Sequence, residues 1–282
     1  MLPPARCRRT SALRTRRSLA FTRLELLLTA AVVAVLAVLQ VAAAGPGAAK
    51  HATLACLANM RRLSLGWMLH ANDHAGALAL NYHGASAQSP PVGKPGWASG
   101  WLDWTTATDN TNVLKMTDTR YAALATYVDR QAEYFRCPTD TYLSSAQKAR
   151  GWLARARSYS ADILVGDGNA LQGPVAPAFV QVKTLAAMIK PAPASTYVFL
   201  EEHPDSLNDP AFFAPYSTAW IDLPAAHHRG AATFTFGDGH AELRRWASPT
   251  TLMPVRVGPF TTPIVRPGDP DIAWLRARTP QR

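Results

Sequence analysis

The feature that most constrains this chain is an uncharged run from Leu26 to Ala44, nineteen residues whose only polar side chains are Thr29 and Gln40, with a carboxylate, Glu25, at its edge. At ~1.5 Å per residue such a run makes ~28 Å of helix, close to the ~30 Å of a bilayer's hydrocarbon layer. The spacing predicts a membrane-spanning helix. Arg6, Arg8, Arg9, Arg14, Arg16 and Arg17 precede it with no acid among them, and by the positive-inside rule they hold the N-terminus in the cytoplasm and put the rest of the chain outside. A lone acid at bilayer depth costs about 2.5–3.5 kcal/mol, so Glu25 needs a partner. A cut between Ala20 and Phe21 would supply one, an amine four residues away and therefore one helical turn from the acid.

The chain has 29 basic and 19 acidic residues, and the six arginines of the first twenty positions account for most of the excess. The remainder carries no basic stripe interleaved with aromatics, so nucleic acid is not an expected partner. Hydrophobic residues make up 48% of the 282 and charged ones 17%, enough apolar material for a sizeable core. Three cysteines exclude both a disulfide-dense mini-domain and a four-cysteine zinc module.

Residues 20–25, Ala20-Phe21-Thr22-Arg23-Leu24-Glu25, resemble a type IV prepilin signature, with Ala20 where Gly is usual and Arg23 where an apolar residue is usual. The resemblance continues in Cys56-Leu57-Ala58-Asn59-Met60-Arg61, in Ala71-Asn72-Asp73 with Gly76, and in Tyr134-Phe135-Arg136-Cys137-Pro138-Thr139-Asp140. It extends through Arg157-Ser158-Tyr159 to His228 followed by Asp238-Gly239. Together these blocks are similar to the H-X9-DG group of prepilin-like (pseudopilin-like) proteins. The resemblance implies a non-enzymatic subunit of a type II secretion or type IV pilus-like assembly. It also implies cleavage by a prepilin peptidase at Ala20-Phe21, other pilin-like subunits as partners, and a single-pass inner-membrane location with the C-terminal domain in the periplasm. The alternative is an exported periplasmic binding protein or hydrolase, with an ordinary signal peptide cut after Ala42-Ala43-Ala44.

The expected organisation is a leader at 1–20, a transmembrane helix at 21–44, a periplasmic stem helix at 45–75 and a globular head at 76–282. Gly45-Pro46-Gly47 interrupts the helix. Cys56, Met60, Leu63 and Trp67 then fall at i, i+4, i+7 and i+11, one stripe facing a core. A tryptophan-rich loop follows, in which Trp97, Trp101 and Trp104 pin the chain or, if exposed, grip a glycan. Helical pieces are expected at 119–131 and 143–154, and a strand at 196–200. A hairpin turns at Gly237-Asp238-Gly239, and an irregular tail begins at Pro249. The fold class is α+β and pilin-like: a long N-terminal transmembrane and stem helix, then a mixed head with a small antiparallel sheet.

Candidate sites follow from residue types. Cys56 and Cys137 either pair in an oxidising compartment, a bridge worth ~4 kcal/mol in the chain-entropy model, or remain reduced thiols. Glu201, Glu202, Asp205 and Asp209, with Asn208, offer hard oxygen ligands suited to calcium, although the spacing matches no EF-hand. No other cofactor is expected. His203, His227 and His228 form a weaker metal-ligand candidate. His228 and Asp238, ten residues apart along a strand at ~3.3 Å each, are too distant to act as a dyad. No catalytic motif is present, so no enzyme is expected.

Overall fold

The computed structural model describes residues 22–43, 46–169, 178–214 and 217–282. These fall into two compact units, Met1–Ala48 and Ala49–Arg282.

The first unit holds helix α1, Arg23–Ala43. Its start is a capping box. Thr22 Oγ1 accepts the Glu25 amide at 3.2 Å, while the Glu25 carboxylate accepts the Thr22 amide at 2.8 Å and its hydroxyl at 3.0 Å. Those hydrogen bonds, the backbone one foremost, hold the Glu25 carboxyl below its ordinary range. The partner expected for Glu25 was the amine of Phe21; the partner found is Thr22. Ala20 and Phe21 lie outside the described residues, as does the leader.

The expected membrane span and the inner-membrane location that rested on it are corrected. Among the described residues no helix is long and apolar enough to cross a membrane. Helix α2, Pro46–Asp73, carries Lys50, Arg61, Arg62 and Asp73.

In the second unit α2 is not a free stem. Cys56, Met60, Leu63, Trp67 and Ala71 are buried along one face, as their spacing predicts, in one cluster with the sheet residues Tyr159, Ala161, Val198 and Phe199. The helix stops where Ala75 and Gly76 take positive φ and the Gly76 amide turns back to the Ala71 carbonyl at 2.7 Å.

The sheet that α2 covers has five strands: β1 (Tyr159–Asp162), β2 (Tyr197–Glu201), β3 (Ala211–Phe212), β5 (Ala231–Phe236) and β6 (Ala241–Arg245), in the order β3-β1-β2-β5-β6. It is mixed rather than antiparallel, because β1 pairs with β3 in parallel and with β2 antiparallel. The expected hairpin forms: β5 and β6 pair from Ala231–Arg245 to Thr235–Ala241 around a turn in which Gly239 has φ +88°. A separate two-stranded sheet joins β4 (Ala219–Trp220) to β7 (Ile264–Val265).

The pilin-like architecture is corrected in its other parts too. Helices in the head are few and short: α3 (Gly84–Gln88), α4 (Leu114–Thr117) and α5 (Ser145–Ala149). The helix expected at 119–131 is instead turns with one 3-10 segment, Thr126–Val128. Left-handed Asp129 and Arg130 break its end. The tail is not irregular throughout. It closes in α6, Pro270–Arg276, capped by the Asp269 carboxylate, and Ile272 and Leu275 pack with Phe234 and Trp246 on the second sheet face. With α2 on one face and α6 on the other, β2 and β5 are buried at every residue.

Candidate functional site

Four elements converge beneath α2. Cys56 comes from the buried stripe of α2, Cys137 from the loop after the 3-10 turn Ala132–Phe135, Glu201 from the C-terminal end of β2 and His228 from the turn that leads into β5. Their donor atoms all lie within 4.8 Å of one another, and all four residues are buried.

The geometry centres on one carboxylate. Glu201 Oε1 receives the Cys56 thiol at 2.7 Å and lies 2.9 Å from His228 Nε2, while Oε2 accepts the Thr233 amide at 2.7 Å. His228 Nδ1 meets Thr53 Oγ1 at 3.0 Å, which aims Nε2 into the cluster, where Cys137 Sγ is 3.5 Å away. Tyr159 OH and Thr233 Oγ1 flank Cys56 Sγ at 3.1 and 3.4 Å, and Thr139 Oγ1 stands 2.8 Å from Cys137 Sγ.

Burial alone would neutralise these groups. It pushes the Glu201 carboxyl up, but the hydrogen bonds and charge of His228 outweigh it and leave Glu201 below the ordinary carboxylate range. Burial pushes His228 down, and its contacts with Cys137 and Glu201 reverse that and hold the imidazole protonated. Cys56 moves the other way: burial, Cys137 and the Glu201 charge all keep its proton on sulfur. The resting cluster is therefore a thiol and an imidazolium sharing one carboxylate.

The cysteines were expected either to be bridged or to remain reduced; both are free thiols, Cys56 Sγ on the Glu201 carboxylate and Cys137 Sγ beside Thr139 Oγ1. The calcium set is corrected, because its acids do not converge. Glu201 and Glu202, adjacent on a strand, point to opposite faces. Glu202 accepts the hydroxyls of Ser160 and Ser206, Asp205 the amides of Arg256 and Gly258, and Asp209 the amides of Gly84 and Ala211. Each of these carboxylates has its own set of partners. Nor do the three histidines form a ligand group among the described residues: His203 Nε2 meets the Met253 carbonyl and His227 stacks on Tyr142.

Asp238 holds the hairpin turn through the His240 amide and ring, at the far end of β5 from His228. Gly239 supplies that turn's positive φ. The two parts of the His228/Asp238-Gly239 signature thus serve separate places. Tyr159, Thr53 and Thr233, which shape the cluster, carry no signal for it in the sequence. Comparisons with family models, curated proteins and solved structures return no match.

Proposed function

We propose that this chain is a non-enzymatic, pilin-like subunit of a type II secretion or type IV pilus-like assembly, cut by a prepilin peptidase between Ala20 and Phe21 and joined to like subunits through α1. The observation that carries this reading is the surface of α1. Leu24, Leu26, Leu27, Leu28, Val32, Val33 and Val35 are 52–71% exposed. Three consecutive leucines cannot share one face of a helix, so α1 is apolar around its circumference, and a helix of that kind is stable only when other apolar surface surrounds it. Like helices from neighbouring subunits have the matching chemistry.

The buried cluster supports the non-enzymatic part. Its four donor residues are buried among one another beneath α2. The exported binding protein has less support. Trp97 is buried between Phe135 and Phe199, and the Trp104 ring lies under the Arg155 guanidinium with its indole N–H given to the Gly258 carbonyl. Trp101 and Trp104 are half-buried along one cavity, but a platform of all three rings would need Trp97 open as well.

The test pairs sequencing of the mature N-terminus with assembly of a Leu27→Asp variant. Expected are a start at Phe21 and loss of assembly with the head still folded. A start at Gly45, or assembly indifferent to Leu27→Asp, overturns the reading.

A further inference from the structure

We propose that Cys56, Cys137, Glu201 and His228 form a closed, four-coordinate zinc site that ties α2 to the sheet. The donor set is two sulfurs, one imidazole nitrogen and one carboxylate oxygen, the borderline-soft mixture that suits Zn²⁺ and not calcium or magnesium. The four donors come from four separate elements, so one ion would cross-link α2, the Cys137 loop, β2 and the turn before β5.

The surroundings are those of a metal site. His228 Nδ1 is held by Thr53 Oγ1, which fixes the ring with Nε2 inward, as an outer-shell partner does for a ligating histidine. The Glu201 oxygen turned away from the cluster is held by the Thr233 amide, which leaves Oε1 to face the other donors. Tyr159 and Thr233 present hydroxyls to Cys56 Sγ, and Thr139 presents one to Cys137 Sγ. Those hydroxyls would stabilise two thiolates, which a lone pair of buried thiols has no need of.

The present spacings are those of hydrogen bonds: 2.7 Å from Cys56 Sγ and 2.9 Å from His228 Nε2 to the same oxygen. Four donors bound tetrahedrally at ~2.0–2.3 Å stand ~3.3–3.8 Å apart. Coordination therefore needs those two contacts to open by ~1 Å at most, within the span the four atoms already occupy. On binding, the thiol protons of Cys56 and Cys137 and the Nε2 proton of His228 leave to solvent, and the ion takes their places. No electron transfer is involved. All four ligands are protein atoms and all are buried, so no coordination position is left for water, as in structural zinc sites.

The experiment uses the full chain, purified with reductant, stripped with a chelator and titrated with Zn²⁺ and, separately, Co²⁺. Expected are one equivalent bound, a thiolate-to-cobalt charge-transfer band with intense tetrahedral visible bands, and a rise in Tm on Zn²⁺ addition. Cys56→Ser should remove the charge-transfer intensity in part. Thr53→Val, which keeps every ligand, should weaken binding by about 10–100-fold. The wild-type cobalt spectrum decides the matter even if a variant fails to fold. No stoichiometric uptake by the reduced chain overturns the proposal, as does uptake without sulfur charge transfer. A Cys56–Cys137 disulfide in the isolated protein, with no metal uptake after reduction, overturns it too.

Discussion

Glu201 and His228 meet at 2.9 Å inside the head, twenty-seven residues apart in sequence, and the carboxylate oxygen of that contact is also the acceptor of the Cys56 thiol. Removing one partner of a buried ionic pair leaves the other charged and unsolvated, at a cost of about 3–5 kcal/mol. Glu201→Ala should therefore lower the metal-free protein's stability by that amount in urea unfolding. The double variant with His228→Ala should be less destabilised than the sum of the two single variants. Additive losses would mean that the pair is not coupled.

At the start of α1, charge and capping can be separated. Glutamine closes a capping box as well as glutamate does. Glu25→Gln should leave amide exchange at Thr22, whose N–H the side chain accepts, protected, whereas Glu25→Ala should speed it. If assembly depends on the carboxylate charge, Glu25→Gln will abolish it with the cap intact. If it depends only on a well-formed helix end, only Glu25→Ala will impair it.

The hairpin turn gives a backbone prediction. Gly239 sits at φ +88°, and a Cβ there would lie 2.6 Å from the Met68 sulfur. Gly239→Ala should cost about 1–3 kcal/mol, read as a drop in Tm. Met68→Ala in the same chain should recover only the steric part, because the dihedral strain stays.

His70 predicts a pH dependence. Burial, with His74 stacked on it at 4.0 Å, holds the imidazole at about 4, while Asp73 pulls the other way. Tyr127 is the remaining ring against it. The unfolded chain, titrating near 6.5, binds this proton more readily than the folded one. The contribution is therefore fully present above pH 6.5 and is lost as pH falls toward about 4. Urea midpoints measured across that window should fall less steeply for His70→Tyr than for the wild type. Parallel profiles would remove His70 as the cause.

The tail contributes to the core. Leu275 is fully buried on the sheet face with Phe234 and Trp246, and Leu275→Ala should cost about 2–5 kcal/mol. A change below 0.5 kcal/mol in denaturant unfolding would mean that α6 frays in solution.

The legible parts of this fold were those fixed by local periodicity. The stripe Cys56, Met60, Leu63 and Trp67 repeats at helical spacing and packs as that spacing requires. The strand before Glu201 and the glycine-flanked hairpin turn follow from β-branched runs and backbone freedom. Two further local signals mark helix starts. Thr22-x-x-Glu25 is a capping box, and Asp269-Pro270 is a helix start with proline at its first position.

The site was not legible, for a different reason. Cys56 and Glu201 are 145 residues apart, and Cys137 and His228 are 91 apart. In the sequence the four belong to three separate groups: a cysteine pair, an acidic loop and a signature histidine. Only the order β1-β2-β5 beneath α2 brings them together, and strand order is not written in local spacing. The acids Glu201 and Glu202 show the same limit, since their adjacency suggests a shared ligand while the pleat sends them to opposite faces.

The outer strands of the head sheet have one more consequence. One margin, β3, is two residues long; the other, β6, reads Ala-Glu-Leu-Arg-Arg and sets charged side chains beside its open amides and carbonyls. Neither offers an incoming chain a flat, uncharged ladder to extend, so growth by adding strands edge to edge is disfavoured. Whatever this molecule joins, it must be gripped elsewhere than along its β-sheet.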